Sequence, residues 1–192
     1  MSGEEDGGQA DAERLLREAG AMLEGHFQLS SGKHSGVYVE KFRLLERPPQ
    51  TEALCAMIAG WAKALRPALS AGPTTGGLLV SYEVARRLEL RSIFAEKDEA
   101  GGRSFQRGFT IAPGERVLVV DDVLTTGGSI RDVLDAVRGL GGEPVGVAAI
   151  IDRSGGKIDF GVPFFACLTL DLPAYAPDAC PLCEQGLPLT IT

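Results

Sequence analysis

The chain has 192 residues, of which 44% are hydrophobic and 23% charged, a balance typical of a soluble globular protein. Its net charge of −7 argues against a general nucleic-acid or anionic-membrane binder, and no apolar run is long enough to span a bilayer. The length suits one domain covering 1–192. The acidic start MSGEEDGG does not resemble a signal peptide, so we expect residues 1–10 to form a disordered tail and the chain to be cytoplasmic.

The N-terminal half predicts a helix, a hairpin, a second helix and a loop. Apolar residues at helical spacing predict a helix over 11–25. Residues 27–45 alternate apolar and polar side chains around a Ser-Ser-Gly turn, which predicts a hairpin or short strands. A helix is predicted at about 51–66, and the Gly- and Thr-rich segment 70–77 predicts a loop.

The C-terminal half alternates strand and helix patterns. Such alternation predicts an α/β fold with a parallel sheet covered by helices. The polar, glycine-bearing segment between the first strand and the second predicts a mobile loop. The predicted elements are a helix at 78–88, strands at 91–95, 116–121, 144–151 and 163–170, a loop at 97–108, a helix near 128–140 and a proline-rich tail from Leu172.

The segment VLVVDDVLTTGGS, Val117 to Ser129, is the most informative part of the chain. Its apolar start predicts a buried strand, and ligands of open α/β sheets bind at the carboxyl ends of such strands. The turn that follows offers backbone N–H groups at a helix N-terminus, which is an anion site. Asp121 and Asp122 lie where they can accept hydrogen bonds from vicinal hydroxyls. Ordinary capping residues would explain the turn alone, but the whole unit predicts a sugar phosphate.

Two further segments fit a phosphorylated ligand. The turn Pro73–Gly77 precedes a helix, and its backbone amides are candidates to hold a second anion such as pyrophosphate. The loop 97–108 carries Lys97, Arg103 and Arg107, which predicts a lid that closes over a polyphosphate. Taken singly, each segment fits a plain turn or a solvated surface equally well.

Two other segments suggest how a planar ligand is recognised. Arg153 follows a predicted strand, and its guanidinium suits carboxylate or carbonyl recognition. The N-terminal hairpin combines Tyr38, a candidate to stack on a base, with Lys33, His34 and Lys41. Each of these residues alone fits an ordinary surface or core position.

The four cysteines fall into two groups. Cys55 and Cys167 lie in apolar patterns and are predicted core residues. Cys180 and Cys183 form one C-x-x-C pair, and the two histidines are distant in the sequence. A zinc site needs four ligands, so a turn with reduced thiols is the favoured interpretation, with a zinc site shared between subunits as the alternative.

Together these segments resemble the type I phosphoribosyltransferases, and their orotate branch in particular, over nearly the whole chain. The resemblance implies a mostly parallel sheet flanked by helices, with a small N-terminal hood formed by about 11–45 and C-terminal residues. It also implies transfer of the phosphoribosyl group from PRPP to orotate, Mg²⁺ held mainly by PRPP with no direct protein ligand, and a homodimer with a shared active site. The segments that carry it are FQLSSGKHSGVYVEKF at 27–42, GPTTGG at 72–77, FAEK at 94–97, the VLVVDDVLTTGGS motif and IIDRSGG at 150–156.

The resemblance also assigns roles to single residues. The implied catalytic residues are Lys97, Arg103, Arg107, Asp121 and Asp122. The implied orotate contacts are Thr125, Arg153, Tyr38 and Lys33. The implied PRPP contacts are Lys97, Thr74, Thr75, Gly76, Asp121, Asp122, Val123, Leu124, Thr125, Thr126, Gly127, Gly128 and Ser129.

The chain departs from familiar bacterial members at two points. Its loop is shorter and carries arginines, and Thr75 stands where those members have a pyrophosphate-loop lysine. Lys41 and Lys33 are the candidates to replace that charge. Two other functions stay open: a phosphoribosyltransferase for another base, such as a purine, and a non-catalytic PRPP-sensing regulator. The acidic charge and the lack of an added DNA-binding domain disfavour the regulator.

Overall fold

A computed structural model describes the backbone of residues 2–192 and the side chains of residues 7–192. Short 3₁₀ turns at Lys63–Leu65 and Pro177–Ala179 supplement the main elements. The helices are α1 (Ser2–Glu18), α2 (Lys41–Leu45), α3 (Pro48–Ala62), α4 (Gly76–Leu88), α5 (Gly128–Gly139) and α6 (Pro181–Glu184). The strands are β1 (Met22–Gln28), β2 (His34–Val39), β3 (Leu69–Pro73), β4 (Arg91–Lys97), β5 (Arg103–Ser104), β6 (Arg116–Leu124), β7 (Glu143–Asp152), β8 (Phe164–Thr169) and β9 (Thr190–Ile191).

The large sheet has six strands in the order β5-β4-β3-β6-β7-β8. All neighbouring pairs are parallel except β4 and β5. Strand β6 is buried on both faces: Leu118 and Val120 join a core with α1, α3 and α4, whereas Val117 and Val119 join a core with α5. The predicted α/β fold with a helix-covered parallel sheet is confirmed.

A second, three-stranded sheet of order β2-β1-β9 carries the N-terminal hairpin. Strands β1 and β2 pair antiparallel, as the alternating pattern predicts, and β9 from the C-terminal tail pairs parallel with β1. The chain then turns into helix α2, which the strand pattern did not predict. This small sheet lies in the part of the chain expected to form the hood, and the hood over about 11–45 and C-terminal residues stays a prediction.

The first helix differs from its prediction at both ends. It ends at Glu18 rather than near Gly25, because Gly20 has a φ of 66° and Met22 already belongs to β1. The helix begins at Ser2, so residues 2–10 are helical rather than the predicted disordered tail. Met1 lies outside the described residues. Gln9 accepts a hydrogen bond from the Thr169 backbone N–H at 3.1 Å, which ties this turn to β8.

The segment 70–77 was predicted as a loop, but its first half is the central strand β3, all of it buried. The sequence LSAGP shows no alternation of apolar and polar residues. Its small residues nevertheless suit a strand against which another segment of backbone packs closely. A Cβ on Gly72 would collide with the carbonyl of Gly77. Helix α4 therefore starts directly over the end of β3. No helix in the described part of the chain is long and apolar enough to cross a membrane.

Candidate active site

The paired carboxylates of Asp121 and Asp122 lie at the carboxyl end of β6, inside the strand rather than after it. Both are buried, with 7% and 3% of their surface exposed. Asp121 Oδ1 accepts a hydrogen bond from the Asp122 N–H at 2.8 Å, and Asp122 Oδ1 accepts one from the Val123 N–H at 2.6 Å. These bonds fix one oxygen of each side chain, while the second oxygen of Asp122 is buried and lies against Lys41.

The electrostatics of this pair are unfavourable without a ligand. Burial, followed by the neighbouring charge of Asp122, raises the pKa of Asp121. Lys41 Nζ lies 2.8 Å from Asp122 Oδ2 as an ion pair, without the geometry of a hydrogen bond. A buried acid pair held by rigid backbone and short of donors is typical of a binding site for hydroxyl groups.

The turn after β6 surrounds a small pocket of about 50 Å³. Gly127 has a φ of 79° and precedes helix α5, whose N-terminus has no side-chain cap. The first N–H groups of the helix are thus free to bind an anion. The pocket is lined by Asp121, Val123, Leu124, Thr125, Thr126, Gly127, Gly128, Ser129 and Ile130.

A second uncapped helix N-terminus lies beside the first. Thr75 precedes α4 and makes no side-chain capping bond, and β3 neighbours β6 in the sheet. The contact with the acid pair is close: a Cβ on Gly76 would collide with the Asp122 carboxylate, and one on Gly77 would lie 2.8 Å from Asp121 Oδ1. The structure therefore brings together the two loops that the sequence predicts as anion sites.

We expect Gly76→Ala to weaken PRPP binding by about 10- to 100-fold, because the added methyl group displaces the Asp122 carboxylate and removes a charge-assisted hydrogen bond. Calorimetric titration with PRPP measures the effect. Gly60→Ala in α3 is the matched control, since its new Cβ meets nothing within 4 Å. Equal PRPP affinity in the two variants would contradict the close approach.

Arg103 joins the two loops. Its Nη1 donates to Thr74 O at 3.2 Å, to Thr74 Oγ1 at 3.3 Å and to Ala95 O at 3.3 Å. Its Nη2 donates to Ser129 Oγ at 3.4 Å. The guanidinium thus lies between both uncapped helix ends, as expected for a cation that contacts two phosphate groups.

The other two cations of this loop are placed differently. Arg107 forms an ion pair with Glu96 at 2.7 Å, and Lys97 is exposed at the end of β4. Residues 103–104 form strand β5 rather than loop, and Phe105 and Phe109 pack against the core. The segment is therefore better anchored than its composition predicts, and its mobility stays a prediction.

Arg153 follows β7 and is half-buried. Its backbone N–H donates to Leu124 O at 2.8 Å, which ties it to the end of β6. Burial lowers the pKa of its guanidinium, while nearby Tyr38 raises it. Among residues 7–192, no acidic side chain forms an ion pair with it. A half-buried, unpaired cation is suited to an anionic ligand.

Asp152 is a positioning residue that the sequence prediction missed. It is fully buried, and its carboxylate accepts hydrogen bonds from the N–H groups of Ser154 at 2.7 Å and Gly156 at 2.9 Å. These bonds shape the turn that carries Arg153. The residue sits next to Arg153 in the motif IIDRSGG, but a buried Asp that caps a turn has no periodic signal in the sequence.

The predicted site residues in and after the N-terminal hairpin differ in how close they lie to the site. Tyr38 on β2 is near Arg153 and packs against Phe27 with ring centroids 5.6 Å apart. Thr125 is exposed in the phosphate turn, whereas Lys33 is exposed in the turn before β2. Of the two lysines predicted to replace the missing pyrophosphate-loop lysine, the structure places Lys41 at the acid pair.

The comparisons with known proteins agree with this site. A model of the phosphoribosyl transferase domain matches residues 49–171. Orotate phosphoribosyltransferase of Thermotoga maritima is 50% identical over 174 residues, 91% of this chain and 92% of that one, and that of Carboxydothermus hydrogenoformans is 46% identical over 181 residues, 93% and 94% of the two chains. The crystal structure of orotate phosphoribosyltransferase from Aeropyrum pernix matches with a TM-score of 0.68 and 29% identity over 82% of this chain and 92% of that one. The chain therefore belongs to the phosphoribosyltransferase family, and within it to the orotate phosphoribosyltransferases.

Proposed function

We propose that this enzyme transfers the phosphoribosyl group of PRPP to orotate, giving orotidine 5′-monophosphate and pyrophosphate in pyrimidine nucleotide synthesis. The observation that carries the choice of base is Arg153, a half-buried cation with no acidic partner among residues 7–192. Orotate supplies the missing carboxylate, which purine bases lack. We place the reaction in the cytoplasm, in keeping with the free thiols of Cys55 and Cys167.

In this proposal each element binds one part of the substrates. Asp121 and Asp122 accept hydrogen bonds from the ribose hydroxyls, and the turn before α5 binds the 5′-phosphate. The loop before α4 binds pyrophosphate, with Arg103 lying between the two anions. Displacement at C1′ passes through an oxocarbenium-like state, so the protein acts by positioning the reactants and stabilising charge. Orotate is already an anion at neutral pH, and a strong general base is not required.

The acid pair also fits a magnesium ion that arrives with PRPP. Mg²⁺ in phosphate sites takes one or two carboxylates, substrate phosphate oxygens and waters. Asp121 and Asp122 each hold one oxygen on a backbone N–H, and the second oxygen of Asp122 lies 2.8 Å from Lys41 Nζ, so the pair adds negative charge nearby and leaves PRPP to supply most of the ligands. When bound, Mg²⁺ neutralises charge on the pyrophosphate. We therefore propose Mg²⁺ as the cofactor, held mainly by PRPP.

A panel of bases tests the proposed activity. Orotate, uracil, adenine, guanine and hypoxanthine are each incubated with PRPP and Mg²⁺, and pyrophosphate release is measured. We expect turnover with orotate and little with the others. Turnover of a purine instead would assign the enzyme to another base, and PRPP binding without turnover of any base would support a regulator.

We further propose that the enzyme is a homodimer. Phe42 on α2 and Leu79 and Tyr82 on α4 are exposed, and α2 packs on α4 next to the Lys41–Asp122 ion pair. Exposed apolar side chains on two packed helices suit an interface, and a second copy of the chain is the occupant that the family resemblance implies. Lys97 is exposed in the described chain, in keeping with a role in the neighbouring site.

Mixing two inactive variants tests the shared site. We expect Lys97→Ala mixed with the double variant Asp121→Asn, Asp122→Asn to recover about a quarter of wild-type activity, because half the dimers are then mixed and each holds one intact site. Native mass spectrometry verifies subunit exchange. Complete exchange without any return of activity would place Lys97 in the site of its own chain.

A further inference from the structure

Four side chains outside the active site lie together at the junction of the small sheet and the C-terminal tail. They are His26 on β1, His34 at the start of β2, and Cys180 and Cys183 around α6. One ligand atom from each lies within 4.8 Å of all the others. The two histidines, distant from the cysteines in the sequence, thus meet them within one chain rather than across a subunit interface.

The distances match a tetrahedral N₂S₂ centre. Cys180 Sγ and Cys183 Sγ lie 3.6 and 3.7 Å from His26 Nε2, and Cys183 Sγ lies 3.4 Å from His34 Nδ1. With Zn–N of about 2.05 Å and Zn–S of about 2.3 Å, a regular tetrahedron has N···S edges of about 3.5 Å and an N···N edge of about 3.3 Å. His26 Nε2 and His34 Nδ1 are 2.9 Å apart, and a small ring rotation closes the difference of about 0.4 Å.

The surroundings of His26 set the tautomer that a metal needs. Its Nδ1 lies 2.9 Å from the carbonyl oxygen of Leu187. Because a carbonyl only accepts, Nδ1 carries the proton and Nε2 presents its lone pair to the cluster. A ring N–H bonded to a backbone carbonyl is the usual outer support of a metal-ligating histidine.

Burial and charge also fit zinc. His26, His34 and Cys180 are 3%, 4% and 1% exposed, while Cys183 is exposed and gives an ion a path to the site. Two thiolates, two neutral imidazoles and Zn²⁺ sum to zero charge, which avoids the cost of an uncompensated buried ion. Thiolate and imidazole ligands in a tetrahedron select zinc over Mg²⁺ or Ca²⁺.

We propose that His26, His34, Cys180 and Cys183 hold a structural zinc ion that fastens the C-terminal tail to the β1–β2 hairpin. Four protein ligands close the coordination sphere and leave no position for substrate. The tail is also linked to the hairpin by two residue pairs between β9 and β1, by an isolated bridge of His34 with Tyr175, and by hydrogen bonds from Thr192 to Gln28 O. A metal cross-link adds a fixed connection between this small sheet and the tail. Since the same hairpin carries Tyr38, the metal also orders one wall of the active site.

The direct test is the metal content of the purified enzyme after dialysis against metal-free buffer. We expect about one zinc ion per chain in the wild type and in Cys55→Ala, a control that removes a thiol elsewhere. Cys180→Ser and Cys183→Ser are expected to lose the zinc. Zinc retained in both serine variants, or no zinc in a wild type first incubated with zinc chloride, would overturn the proposal.

A second measurement on the wild-type chain does not depend on the variants folding. Removing zinc with a chelator is expected to lower Tm by about 5–15 °C and to expose the segment after Leu172 to proteolysis. Zinc chloride is expected to restore both, and the same concentration of magnesium chloride to restore neither. Cobalt added to the metal-free enzyme is expected to give the visible bands of a tetrahedral thiolate-ligated ion. An unchanged Tm on chelation, or absence of these bands, would show that the four side chains bind no metal.

Discussion

Replacing Asp121 and Asp122 together with asparagine is expected to weaken PRPP binding by about 100-fold or more. In the proposed site each carboxylate accepts a charge-assisted hydrogen bond from a ribose hydroxyl. Such a bond contributes about 1.5–3 kcal/mol, and each 1.4 kcal/mol corresponds to about tenfold in affinity. Calorimetric titration with PRPP in the presence of Mg²⁺ measures the loss. Unchanged affinity would refute the assignment of the acid pair to the ribose.

The stability of the same variant separates binding from folding. A carboxyl whose folded-state pKa is raised, as burial and Asp122 raise that of Asp121, opposes folding at pH values above its unfolded pKa. Asparagine removes that cost, so at neutral pH we expect Tm to stay equal or rise while affinity falls. Asp11→Asn with Asp135→Asn is the control, because it makes the same charge change at exposed positions of α1 and α5.

The parts of the fold that the sequence predicted are those with strong apolar patterns. Strand β6 and helix α5 carry continuous or helical apolar spacing, and both form at the predicted places, although β6 continues past the predicted end at 121 to Leu124. Strand β3 was missed because its sequence lacks an apolar alternation. Gly72 is required there because the backbone of Gly77 packs directly against it, and such a contact leaves no periodic pattern in the sequence. The end of α1 was misplaced because Met22 and Leu23 continue the helical spacing although Gly20 has turned the chain into β1.

In the candidate site, too, the features formed by neighbouring residues were predicted and those formed by distant residues were not. The phosphate turn and the acid pair are local in the sequence, so one motif predicted them together. The ion pair of Lys41 with Asp122 joins residues about eighty positions apart, and the zinc cluster joins positions 26 and 183. Contacts of that range depend on how β1, β2 and the tail assemble, which residue spacing does not encode.

Arg153→Ala is expected to raise the KM for orotate by about 30-fold or more and to leave the KM for PRPP nearly unchanged. Truncating one partner of a buried, hydrogen-bonded charge pair costs about 2–5 kcal/mol, and the lower value corresponds to about 30-fold. The loss is expected to fall on orotate because Arg153 follows β7 and does not line the pocket at the turn before α5. Steady-state kinetics with each substrate varied in turn measures both constants.

Two further comparisons, the variant Arg153→Lys and the uncharged base uracil, separate the roles of the guanidinium and of the carboxylate. Arg153→Lys keeps the charge but loses the planar fork, so its KM for orotate should lie between those of the wild type and the alanine variant. Uracil lacks the carboxylate, so Arg153→Ala should change the KM for uracil little. The variant should therefore show a lower preference for orotate over uracil. Arg138→Ala on the exposed end of α5 is the control. Burial lowers the pKa of Arg153, which means that folding disfavours its charged form, so removing the guanidinium should not lower Tm. An equal rise in the KM values for orotate and PRPP would place Arg153 outside the orotate site.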